Sequence, residues 1–150
     1  MFVSQLMIGA GLVAVTVIIH ALALERLMIV LENVGPAAYK RFKQNWKVPL
    51  LIITVLGVFL AHIVQIWLWA FFYLWIGTFH DLETALYFST SAFTTVGFGD
   101  VVLEDQQWRL LSVFQSANGF MLFGWSTAFI FEVMSKLYKG ETIRKTEGSK

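Results

Sequence analysis

The chain has 150 residues, 57% hydrophobic and 14% charged, with a mean hydropathy of +0.68. A water-soluble domain of this size cannot hide that much apolar surface, so a membrane protein is expected. A net charge of +1 gives no reason to expect a nucleic-acid partner, and the lack of cysteine excludes disulfides, thiolate chemistry and cysteine-based metal sites.

Residues 6–24 carry no charge and are long enough to span about 30 Å of hydrocarbon. No positive region precedes them in Met1–Gln5, so a spanning helix is expected rather than a cleavable signal. This additional N-terminal helix is expected to occupy residues 1–32. Asn33-Val34-Gly35-Pro36 should stop it, because proline blocks helix continuation and glycine supplies a C-cap. His20 reads as a packed or interface-facing histidine near the helix end, against a proton or metal site. A basic connector over residues 33–47 follows, with Lys40, Arg41, Lys43 and Lys47 and no acid beyond Pro36. The positive-inside rule puts it in the cytoplasm.

Residues 48–79 form the second uncharged run, longer than a perpendicular helix needs, so tilt is expected. His62 lies mid-span and reads as a core residue. Trp67, Trp69, Phe71, Phe72, Tyr73 and Trp75 read as an interfacial aromatic belt, an anchor and packing surface. Asp81 is a candidate N-cap, and Glu83 suits the first turn of a helix over residues 82–93. That helix is too short to cross a bilayer. With Thr84, Ser89, Thr90 and Ser91 it is also too polar to face lipid. It should re-enter and stop, its partly negative C-terminal end pointing into the membrane.

Thr94-Thr95-Val96-Gly97-Phe98-Gly99-Asp100 comes next, between apolar spans. Non-helical backbone at membrane depth survives only inside protein or beside a wet cavity. Glycines at alternate positions permit φ of alternating sign. The carbonyls of Thr95, Val96, Gly97 and Phe98 would then share one direction. Such a stack, with the Thr95 hydroxyl below it, replaces the hydration of a cation. The other reading is an ordinary glycine turn.

Thr95-Val96-Gly97-Phe98-Gly99-Asp100 resembles the selectivity-filter signature of potassium channels, with Phe98 where many members carry tyrosine. The resemblance covers the second span to the last. It implies a two-helix pore type to which a further N-terminal span has been added. It also implies an all-α membrane protein with three transmembrane helices, a re-entrant pore helix and a filter loop over residues 94–100. Four copies would surround one axis, with K+ held by the carbonyls of Thr95, Val96, Gly97 and Phe98 and by the Thr95 hydroxyl. Gly99 completes the filter. Asp100 matches the family's bracing aspartate, but its usual carboxylate partner is here Ser91. The resemblance therefore leaves Asp100 to bond an aromatic NH or OH from the pore helix, or to face water. Tyr87 and Phe88 stand where relatives cuff the filter with aromatics, and Thr94 precedes it.

The last span covers residues 109–137 and resembles the family's inner helix. Within the pore domain, residues 48–137, Gly119 stands where relatives carry a hinge, and equally reads as a packing notch. Gly124 reads as a site of close helix packing. Phe120, Phe123, Thr127 and Phe131 share one side at helical spacing, either lining the pore or packing between helices. Glu132 either faces the pore or pairs with Lys136 one turn on. Residues 138–150 read as a cytoplasmic tail, frayed or a helical extension.

Of the 11 Lys and Arg, only Arg109 falls on the expected outer side, whereas Asp81, Glu83, Asp100, Glu104 and Asp105 do. The expected protein is thus a multi-pass cell-membrane homotetramer, N-terminus outside and C-terminus cytoplasmic, in contact with lipid. Its expected activity is passive K+ flux, the ions being conducted cargo, with no covalent chemistry. The competing readings are a weakly selective monovalent cation channel and a non-conducting membrane subunit. An intramembrane enzyme using His20, His62 and Glu132 has no convergent spacing behind it.

Overall fold

The computed structural model describes the backbone of residues 2–147 and the side chains of residues 3–105 and 107–140. Four helices account for almost all of it: α1 (Phe2–Phe42), α2 (Lys47–Trp75), α3 (Leu82–Phe93) and α4 (Arg109–Glu147). There is no strand among the described residues. Three helical stretches, Val3–Asn45, Lys47–Trp75 and Arg109–Gly140, are long and apolar enough to cross a membrane.

The expected stop at residues 33–36 does not occur. α1 runs through Pro36 to Phe42, so the connector shrinks to a short 3-10 turn at Lys43–Asn45 and Trp46. Burial outweighs the local breaker. Leu31 and Ala38, seven residues apart on one helix face, both pack with Trp46, Leu50 and Val133. Continuing the helix keeps both in that core, whereas stopping at Gly35 would release Ala38. Lys40 and Arg41 then sit in the last turn of α1, where the helix dipole favours cations.

α2 stops at Trp75, short of the expected residue 79. Gly77 at φ +75 caps it. The Thr78 amide donates to the Tyr73 carbonyl (3.1 Å) and the Gly77 amide to that of Leu74 (3.0 Å). These are the two bonds of a Schellman motif, and glycine takes the left-handed position without steric cost. The Asp81 carboxylate caps α3, accepting from the Thr84 amide at 2.7 Å. α4 extends ten residues beyond the expected residue 137. Residues 148–150 of the expected tail lie outside the described residues.

The chain divides into two compact units, Met1–Ala21 with Leu60–Phe123 and Leu22–Phe59 with Gly124–Lys150. The first has a core of Trp69, Tyr73, Phe79, Phe88, Phe93 and Leu122, packed around α3. The expected aromatic belt is therefore split. Trp69 and Tyr73, one turn apart, are fully buried, while Trp67, Phe71 and Trp75 remain exposed. Polar bonds cross this core. The Tyr73 hydroxyl donates to Gln115 (2.9 Å), Gln115 donates to the Ser89 hydroxyl (2.7 Å), and Ser89 donates to the Ile66 carbonyl (2.7 Å). The second unit packs Leu31, Ala38, Trp46, Leu50 and Val133. Beside them lies a cavity of about 200 Å³ lined by Met28, Glu32, Pro36 and Lys136 among others.

Candidate functional site

The site grows from the C-terminal end of α3. Thr94 ends that helix, its amide and its hydroxyl both donating to the Thr90 carbonyl (3.0 and 2.7 Å). The chain then folds back along the helix end it has just left. The Thr95 amide donates to the Ala92 carbonyl (3.1 Å), and the Val96 and Gly97 amides to that of Ser91 (3.0 and 3.3 Å). The Phe98 amide donates to the Ser91 hydroxyl at 3.3 Å.

Four successive amides therefore turn to one side. In a regular strand they would alternate. The backbone achieves this with positive φ at Thr95 (60°), Gly97 (56°) and Gly99 (79°), while Val96 and Phe98 are not positive. In a trans peptide the carbonyl of one residue opposes the amide of the next. The carbonyls of Thr95, Val96 and Gly97 consequently point away from α3. No described group donates to them or to the Phe98 carbonyl. They form a row of unspent acceptors on an exposed segment: Val96 is 53% and Phe98 70% exposed.

Glycines alone were expected to carry the positive φ, yet Thr95 carries it too. A β-branched residue in the left-handed region is a true outlier, costing about 1–3 kcal/mol, and such strain clusters at functional sites. Only a strict alternation counted back from Gly99 and Gly97 would have signalled it.

Asp100 finds an aromatic hydroxyl as its partner, one of the outcomes that the resemblance left open. The Tyr87 hydroxyl donates to its Oδ2 at 2.6 Å, and the Val101 amide donates to its Oδ1 at 3.0 Å. The Tyr87 bond holds the carboxyl below its ordinary range, and the same bond raises Tyr87. The Tyr87 and Phe98 rings stack at 6.4 Å, so Tyr87 contacts the segment at two points. Ser91 occupies the remaining position, reaching the segment through both its carbonyl and its hydroxyl. Phe88 does not join them. One residue on, it points the other way, into the core against Tyr73 (5.2 Å) and Phe79 (5.1 Å).

α4 runs beside the segment's root. Gly119 is buried, and a Cβ built on it would fall 2.0 Å from the Phe93 carbonyl oxygen. Gly119 is thus a packing notch for α3. Gly124, expected at a close contact, has nothing within 4 Å. Phe120 and Phe131 are 71% exposed and Thr127 is exposed as well. Phe123, at the edge of that stripe, turns inward. Its ring lies 4.4 Å from His62 and 5.7 Å from Phe93, yet it stays 37% exposed, so all four residues of the expected side reach the surface. Glu132 pairs with Lys136 at 3.7 Å, both 58% exposed. His20 and His62 are buried and stacked at 5.2 Å, a meeting the spacing did not signal. Glu132 lies in the other unit.

The family model described as "Ion channel" matches residues 58–136, a little over half of the chain. Searches of curated proteins and of solved structures return no match. The match starts within α2 and ends within α4, so it spans α3 and the Thr94–Asp100 segment. With three helices able to cross a membrane and this match enclosing α3 and the Thr94–Asp100 segment, the chain is a multi-pass membrane protein and belongs to the ion-channel family.

Proposed function

We propose that this chain is the subunit of a potassium-selective channel. The observation that carries the reading is the one-sided segment: every amide from Thr95 to Phe98 is spent on α3, and every carbonyl over the same four residues is unspent. Oxygens arranged so can substitute for a cation's water shell, and carbonyl rings that match the larger ion favour potassium over sodium. The Thr95 hydroxyl adds a further ligand at the root. The C-terminal end of α3 brings a partial negative charge of about half a unit to the same place.

One strand supplies oxygens from one side only, so an enclosed ion needs several copies. The potassium-channel resemblance implies four. Exposed Val96, Phe98 and Phe120 are surfaces that neighbouring copies would cover. Tyr87, Ser91, Thr94 and Asp100 hold the segment, and Phe120, Phe123, Thr127 and Phe131 line the conduit of the assembly. The charge asymmetry supports an outside N-terminus and a cytoplasmic C-terminus. Potassium is the transported ion, moving down its own gradient.

The test is ion flux from liposomes holding the purified protein alone, with reversal potentials in mixed sodium and potassium. The expected result is a reversal near the potassium value and block by barium. A reversal midway between the two ions replaces this reading with a weakly selective cation channel. No flux in any condition leaves a non-conducting subunit.

A further inference from the structure

α1 lies wholly outside the matched residues 58–136, yet it brings two fully buried polar side chains to the first unit, Thr16 and His20. Both meet polar residues of the matched region. The Gln65 amide nitrogen reaches His20 Nδ1 at 2.9 Å, and the Gln65 amide oxygen faces His62 Nδ1 at 3.3 Å. Asn118 of α4 donates to the Thr16 hydroxyl at 2.7 Å. Gln65 offers one donor end and one acceptor end. In this orientation His20 Nδ1 accepts and His62 Nδ1 donates, so a single amide sets both tautomers and both ring planes.

What His62 does with that fixed ring is the informative part. It stacks against His20 at 5.2 Å, packs on Phe123 at 4.4 Å and lies 5.8 Å from Phe93. Phe93 and Phe123 are themselves 5.7 Å apart. Phe93 is the last residue of α3, and its carbonyl is the atom against which Gly119 is notched. The strained segment begins two residues later, at Thr95. A displacement of the His62 ring is therefore a displacement of the seat of that segment, and close-packed interiors pass such shifts on.

We propose that His62 is a positioning residue for the ion pathway, held in place from α1: the His20–Gln65–His62 bridge fixes the ring on which Phe93 and Phe123 rest. The added first helix thereby sets the geometry at the root of the Thr95–Gly99 segment. This rests on the channel reading above. If the cluster served only to hold helices together, breaking it would lower the yield of folded protein and leave ion preference alone.

The experiment measures the potassium-to-sodium permeability ratio and barium affinity in liposomes for wild type, Gln65→Leu, His20→Phe and the double variant. Each single variant should shift one or both readouts by about two- to thirty-fold, the range for residues that couple sites without touching ligand. The double variant should shift no further than the larger single one, because both changes cut the same bridge. His20→Gln, whose amide oxygen can still accept from Gln65, should return toward wild type. If Gln65→Leu does not accumulate, His20→Phe reads the same connection while sparing the Gln65–His62 contact. Wild-type vesicles that pass no potassium sink the channel reading and this inference with it. Wild-type flux with an unchanged ratio and unchanged barium affinity in every variant that folds sinks this inference alone, as do additive shifts.

Discussion

The two units of the chain are held together differently. The first buries Gln5, Thr16, His20, His62, Gln65, Ser89, Gln115 and Asn118, and most of these bond across elements: Gln5 to the Gln107 carbonyl, Asn118 to Thr16, Gln115 to Ser89 and Tyr73. Among its described residues the second unit buries Thr54 and Ser126, and Thr54 bonds the Leu50 carbonyl of its own helix at 2.7 Å. Its core is otherwise apolar. Apolar packing tolerates repacking so long as volume is kept. A buried hydrogen bond away from water tolerates little, because a lost partner leaves an unsatisfied group. The unit that carries the Thr94–Asp100 segment is thus the one whose geometry is most narrowly specified.

Substitutions sharpen this contrast, beginning with the most damaging. Gly97→Ala should abolish potassium flux while the protein still reconstitutes. No atom lies within 4 Å of the added Cβ, so the cost is the left-handed φ of +56, which L-residues adopt only at about 1–2 kcal/mol. Undiminished flux would remove the segment from the mechanism. Next, Gly119→Ala should destabilise by about 1–3 kcal/mol or more through overpacking on Phe93. Gly124→Ala, in the second unit, meets open space and should stay within about 0.5 kcal/mol. Thermal unfolding of the two in one detergent compares the units directly, and equal losses would break the contrast.

Gln115→Leu should cost about 1–3 kcal/mol by leaving the buried Tyr73 hydroxyl without its acceptor, again read by unfolding. A smaller effect is expected at the exposed Tyr87–Asp100 bond. Asp100 sits below its ordinary 3.8 and Tyr87 above its ordinary 10.0, chiefly through this bond. The carboxylate's contribution is complete above 3.8 and is lost as pH falls through the lowered value. The phenol's is complete below 10.0 and is lost as pH rises through the raised one. Flux in wild type should be insensitive to this pair between pH 3.8 and 10.0, and Tyr87→Phe should move the acid edge upward. The smallest effect is expected for Glu132→Gln. Its pair with Lys136 is an exposed i,i+4 pair, worth about 0.3–0.5 kcal/mol. A large change in conductance at unchanged stability would instead place Glu132 at the conduit.

Different physics made different parts of this molecule legible. Asp81 as the cap of α3, the limits of that helix at Leu82 and Phe93, and three spans follow from local rules that neighbouring residues obey on their own. The alternation of φ at Gly97 and Gly99 is likewise a property of residues without a Cβ. Where the reading failed, distant residues had overruled local ones. Pro36 and Gly35 are stop signals, but Leu31 and Ala38 share a core with Trp46, Leu50 and Val133, and burial carried the helix past them. The aromatic run around Trp69 divided because a helix turns by about 100° per residue and only one side of it meets α3.

The amino-acid sequence by itself determined that the chain spans a membrane, that a short capped helix lies between two of the spans, and that a glycine-punctuated backbone follows it, because hydropathy, caps and φ preferences act over a few residues. Only the tertiary structure decided that Tyr87 would be the partner of Asp100, that Thr95 would bear the strain, and that His20 and His62 would meet across Gln65. The histidines meet only because helix faces 45 residues apart come together, and the other two outcomes depend on how the chain folds back along the end of α3.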